Sequence, residues 1–171
     1  RIRGVVSEGM ICSERELGLD DDHAGIVVLP EDAPVSTPLS DYLGDQVLDL
    51  EVTPNRPDWL SMLGVAHEVA AISLGSVREP DISYPETGSP IEDQVTVVID
   101  ATDLCPRYTA SLVKDIRVGP SPDWMQERLL KAEQRPINNI VDITNYVMLE
   151  YGQPLHAFDY HALGQKIVRI R

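Results

Sequence analysis

The stretch 78–93 places Pro80, Pro85, Gly88 and Pro90 among acidic residues and few apolar ones. Proline fixes φ and removes a backbone donor, so this composition sustains neither a helix nor a strand. It reads as a linker, and it forces the 171-residue chain to fold in pieces on either side. The linker is set at 80–93. A second division is set near residue 44, which gives segments 1–44, 45–79 and 94–171.

Short elements are expected in each piece. Arg3-Gly4-Val5-Val6 and Ile26-Val27-Val28-Leu29 read as strands. Between them, Cys12 to Gly18 reads as a helical turn closed by glycine, followed by a polar loop, Asp20-Asp21-Asp22-His23. From Leu48, apolar and acidic residues alternate up to Val52, the period of a half-buried strand. A helix is predicted over Asp58–Leu74, with Asp58 as N-cap and Gly75 as its stop. Beyond the linker, Gln94–Ile99 and Arg107–Val113 read as strands. Ser121-Pro122-Asp123 reads as a helix start with a capping serine, and Met125, Leu129 and Ala132 form that helix's apolar face. Asn138–Tyr151 reads as a helix that buries Ile140, Ile143, Val147 and Tyr151 and ends at Gly152. Lys166–Arg171 begins a strand. Helices and strands that do not strictly alternate give an α+β class. It would comprise a partial β-barrel remnant, a small α/β segment and the beginning of an α+β domain.

Charge excludes some functions. The net charge is −14, and it is uneven. Residues 1–50 hold 3 basic and 11 acidic residues, residues 51–100 hold 2 and 9, and residues 101–171 hold 9 and 8. A surface that grips phosphates carries a basic stripe, so only the last segment suits contact with RNA. The two cysteines, Cys12 and Cys105, form no C-x-x-C pair, which supports neither a disulfide framework nor a cysteine zinc site. They read as reduced thiols of a cytoplasmic protein. No apolar run approaches the roughly 18 residues that span a bilayer. Arg1-Ile2-Arg3-Gly4 has no apolar run behind it and so is no signal peptide. With no Met and a strand-like opening, the chain is expected to start inside a longer protein.

The densest polar constellation is Asn138, Asn139, Asp142, Thr144 and Asn145, followed by Gln153, His156 and Asp159. Asn, Thr and Asp compete for backbone groups and are mediocre inside helices. Either they aim hydroxyls and amides into a pocket, or they tie the helix to its neighbours. Spacing alone favours the second. His156 could position water or shuttle a proton near neutral pH, and a histidine at that place is more often packed or merely exposed. His156, Asp159 and His161 fit no strong metal motif, so no metal site is expected. Arg56, Arg107, Arg128 and Arg135 could each reach a phosphate, though surface solvation is the commoner role.

Several runs resemble one family. These are Leu50-Glu51-Val52-Thr53-Pro54-Asn55-Arg56-Pro57-Asp58-Trp59-Leu60-Ser61, then Pro106-Arg107-Tyr108-Thr109, and above all Arg135-Pro136-Ile137-Asn138-Asn139-Ile140-Val141-Asp142-Ile143-Thr144-Asn145-Tyr146-Val147-Met148 with Gly152-Gln153-Pro154-Leu155-His156-Ala157-Phe158-Asp159. Together they resemble the beta subunit of bacterial-type phenylalanyl-tRNA synthetase over nearly the whole chain.

That resemblance implies an assignment. Residues 1–44 would be the end of an OB-fold-like tRNA-binding insert, 45–79 a strand–helix segment of the first domain, and 94–171 the N-terminal part of an editing domain. It implies an alpha2-beta2 heterotetramer with the alpha subunit, tRNA(Phe) as substrate, and ATP and magnesium for the whole enzyme. None of these cofactors would be held by this segment. The editing reaction is hydrolysis of tyrosyl-tRNA(Phe), needed because an apolar pocket rejects a near-isostere with one added hydroxyl only weakly. By resemblance, Asn145 and His156 would hold the tRNA terminus or order the attacking water, and Thr144 would shape the wall. The family's glycine-rich wall and its tyrosine-reading glutamate are absent from this sequence, so the segment alone is expected to hydrolyse little or nothing. The competing reading is a non-catalytic scaffold or interaction module of the same assembly.

Overall fold

A computed structural model describes Gly4, Val6, residues 9–19 and residues 23–171. The strand expected at Arg3–Val6 and the loop residues Asp20–Asp22 fall largely outside these. The chain divides into two compact units, Arg1–Gln46 and Val47–Arg171.

In the first unit, helix α1 spans Glu14–Leu17, the turn read from sequence. Ser13 and Glu16 form a reciprocal capping box: Glu16 N donates to Ser13 Oγ, and Ser13 N donates to Glu16 Oε2 at 2.9 Å. Those bonds lower the Glu16 pKa. Gly18 ends the turn in the left-handed region. Helix α2, Leu39–Tyr42, had no counterpart in the sequence reading. The strand expected at Ile26–Leu29 does not form. Val27 N donates to Cys12 O, but no ladder follows, and Val28 is 83% exposed. A β-propensity run becomes a strand only when another strand accepts its backbone groups.

The second unit opens with residues 47–52 unpaired, against the expected strand, for the same reason. A 3₁₀ turn, Pro57–Trp59, precedes helix α3, Met62–Ser73. Ser61, not Asp58, is the N-cap and accepts from Gly64 N at 3.0 Å. Asp58 is engaged by Arg56 instead. Gly64 is required here, because a Cβ would lie 1.7 Å from the Asp58 carbonyl oxygen. At the other end Leu74, not Gly75, takes the left-handed conformation.

Strand β1 spans Thr96–Ile99, helix α4 Asp123–Lys131, helix α5 Asn139–Tyr151 and strand β2 Ile167–Ile170. The strands pair in parallel from Thr96↔Ile167 to Ile99↔Ile170, and Arg169 Nη1 donates to both carboxylate oxygens of Asp100. Parallel neighbours need a long crossover, which the α4–α5 segment supplies. No strand forms at Arg107–Val113. Ser121 does not cap α4: Pro122 holds the N-cap position, and the serine hydroxyl turns to α5. Helix α5 packs against both α3 and α4. The buried apolar residues among those described are Met125 and Leu129, both on α4. The buried residue of α5 is not from the predicted apolar face. It is Asp142, whereas Ile143 and Tyr151 stay partly exposed. A mixture of helices with a small two-stranded sheet agrees with the α+β class.

Candidate functional site

Helix α5 carries the polar run, and Asn138, Asn139 and Asp142 at its start each bond to the fold. Asn138 is the N-cap, and its Oδ1 accepts from Ile140 N and Val141 N at 3.0 and 3.1 Å. Asn139 ties the helix to the preceding loop. Its Oδ1 accepts from Gly119 N, its Nδ2 donates to Arg117 O, and its backbone N donates to Gly119 O. Asp142 is 1% exposed. One carboxyl oxygen accepts from the Ser121 hydroxyl and the other from Ile137 N at 2.8 Å. A buried carboxyl is tolerated when its oxygens are satisfied in this way.

One turn later the pattern changes. The Thr144 hydroxyl donates back to Val141 O at 2.6 Å. Of Asn138, Asn139, Asp142, Thr144 and Asn145, only the half-buried Asn145 has a side chain with no hydrogen-bond partner among the described residues. An amide carries two donors and an acceptor, so Asn145 can bind a ligand without breaking a bond of the fold.

Gly152 ends α5 with φ +75, and an added Cβ would come within 3.3 Å of Ser61 Cβ, so α5 closes against the start of α3. Tyr151 beside it has a raised pKa, from desolvation first and then from Glu150 and Glu79. The segment after Gly152 is exposed. The His156 ring lies 6.4 Å from that of Phe158, tilted by 31°. No hydrogen bond or ring contact joins His156 to Thr144 or Asn145 among the described residues. Gln153 reaches only the neighbouring Pro154 carbonyl. Asp159 accepts from His161 N at 2.8 Å, closing a local turn. Among the described residues no three His, Cys, Asp or Glu side chains are grouped to hold a metal ion.

The four arginines separate in the same manner. Arg56 binds Asp58 through two nitrogens, reaches Glu68 at 3.0 Å and stacks 4.2 Å above Trp59. These bonds raise the Arg56 pKa and lower that of Asp58. The residue clamps the 3₁₀ turn to α3. Arg128 donates to the Tyr146 hydroxyl at 2.6 Å. Arg107 and Arg135 are exposed and form no ion pair among the described residues. The partnership of Ser121 with Asp142 was missed by the sequence reading, because 21 positions separate the two and no local pattern joins them.

Comparison with known proteins agrees with the motifs. Residues 104–171 match the B3/4 domain family, so α4, α5 and the polar run belong to a B3/4 domain. Over 99% of its length the chain is 54% identical to the phenylalanine–tRNA ligase beta subunit of Dehalococcoides mccartyi, covering 21% of that protein. The beta subunits of Moorella thermoacetica and Geobacillus kaustophilus are 54% and 49% identical over 97% and 100% of the chain, with 22% of each covered. The chain therefore spans about a fifth of the length of these relatives, and it belongs with a segment of the phenylalanine–tRNA ligase beta subunit family. No helix among the described residues is long and apolar enough to cross a membrane.

Proposed function

We propose that this chain supplies one wall of a site that hydrolyses tyrosyl-tRNA(Phe), within a phenylalanine–tRNA ligase beta subunit. The observation that carries the reading is the unengaged Asn145 amide, half-buried beside the engaged side chains of Asn138, Asn139, Asp142 and Thr144. Hydrolysis of an ester needs donors for the developing oxyanion and an oriented water. Asn145 offers the donors, and the exposed His156 offers an imidazole able to accept a proton. Thr144, bonded to its own helix, acts as wall. Nothing in the run resembles an activated nucleophile, which suits catalysis by positioning. The whole enzyme would work with an alpha subunit, ATP and magnesium in the cytoplasm. This chain alone would be inactive, since no bond among the described residues holds His156 against Asn145.

The test uses the intact two-subunit enzyme. Asn145→Ala and His156→Ala should each slow hydrolysis of preformed tyrosyl-tRNA(Phe) at least ten-fold, about 1.4 kcal/mol of transition-state stabilisation, while phenylalanine charging holds. Unchanged hydrolysis in both variants would leave a scaffold role. That second reading is favoured by one feature, the large share of apolar side chains such as Val69, Ile72 and Leu74 left uncovered.

A further inference from the structure

Two tryptophans in this chain lie against arginines, and the two pairs are built differently. Trp59 is half-buried, its Nε1 is buried, and Arg56 above it is consumed by Asp58 and Glu68. That pair is internal. Trp124 is 50% exposed. Its ring is nonetheless held: Tyr146 of α5 meets it edge to face at 5.4 Å, and the Arg128 guanidinium carbon lies 5.5 Å from its centroid. Arg128 is fixed in turn by its bond to the Tyr146 hydroxyl. Its charge has no carboxylate partner among the described residues.

We propose that Trp124, Tyr146 and Arg128 form a stacking surface for an unpaired base of RNA. The inference rests on the tRNA reading above and extends it to a surface that no motif assigns. Aromatic faces held in place stack bases at little entropic cost, and an arginine beside them adds cation–π attraction and one phosphate contact. Val35 at 92% and Leu74 at 93% are more exposed but aliphatic, and the exposed aromatic rings of Tyr84 and Phe158 have no cation stacked on them among the described residues. Location also favours RNA, because the cluster lies in the part of the chain that is not net acidic. Asp123 and Glu127 share α4 and limit the attraction, so binding depends on stacking more than on charge.

The test titrates the full chain with an unpaired oligoribonucleotide ending in CCA. The Trp59→Phe variant leaves Trp124 as the sole tryptophan, and its fluorescence should be quenched saturably. In anisotropy with labelled oligonucleotide, Trp124→Leu should bind about ten-fold more weakly, and Trp124→Phe should retain most of the affinity. The salt slope should be shallow, near −0.7 for one cation on a single strand. An abasic oligonucleotide of equal length should bind poorly to the unaltered chain, a readout that needs no variant to fold. Equal binding of the abasic strand, or wild-type affinity in Trp124→Leu, overturns the proposal. So does a Trp124 signal that answers only to a relative's alpha subunit, which would make this a protein interface. Failure here with His156→Ala still abolishing hydrolysis leaves the editing reading intact. Trp124-dependent binding with hydrolysis untouched by His156→Ala does the reverse.

Discussion

The first turn of α5 and the segment that leaves its last turn are equally polar in sequence and opposite in structure. At the start, the side chains of Asn138, Asn139 and Asp142 all bond to the backbone or side chains of the fold. At the exit, Gln153, His156 and Asp159 are exposed and touch only close neighbours in sequence. The difference teaches that one run can hold two kinds of polar residue. Some hold the helix in place, and others, Asn145 and His156 among them, have side chains without a hydrogen-bond partner among the described residues.

Substitutions should separate the two ends, and the largest effect is expected at Asp142. Asp142→Ala leaves the Ser121 hydroxyl and Ile137 N unpaired in a buried place, and should cost about 3 kcal/mol in urea unfolding. A loss below about 1 kcal/mol would erase the contrast. Gly152→Ala forces a side chain into the left-handed region and against Ser61, and should lower stability by about 1–2 kcal/mol. Thermal unfolding reads it, and an unchanged midpoint would mean that α5 and α3 do not depend on this closure. Asn138→Ala removes the cap, with about 1 kcal/mol lost on the same scale. The smallest effect belongs to His156→Ala, which should shift stability by less than about 0.5 kcal/mol. A larger shift would make His156 a structural residue and weaken its assignment to hydrolysis.

Elements with a local signature were legible without coordinates. The turn at Cys12–Gly18 and the stops at Gly18 and Gly152 agree with the sequence reading, because each is decided within about one turn of chain, whereas the equally local capping box at Ser13 and cap at Asn138 emerge only from the structure. The helix of 62–73 was found, but its cap was misplaced. Asp58 and Ser61 are both acceptable caps by type, and only the competing pull of Arg56 on Asp58 decides between them. Ser121 failed in the same manner, since its hydroxyl is claimed by Asp142 from another helix. The expected strands at Ile26–Leu29, Val47–Val52 and Arg107–Val113 failed because β-propensity describes a surface that fits a sheet, not a partner that supplies one.

For the candidate site, sequence placed Thr144, Asn145 and His156 on a helix and its exit, and the family resemblance suggested their chemistry. It could not say which polar groups were already spent. By itself the sequence determined the helix ends set by Gly18 and Gly152 and the family, while the compact units divide after Gln46 and not at the proline-rich stretch. Tertiary structure alone decided that Asp142 is buried, that Asn145 is unengaged, and that Trp124 is held between Tyr146 and Arg128. The physical reason is range: caps and turns are set by neighbours within a few residues, whereas burial and hydrogen-bond satisfaction depend on groups about 20 positions away or more, which only packing brings together.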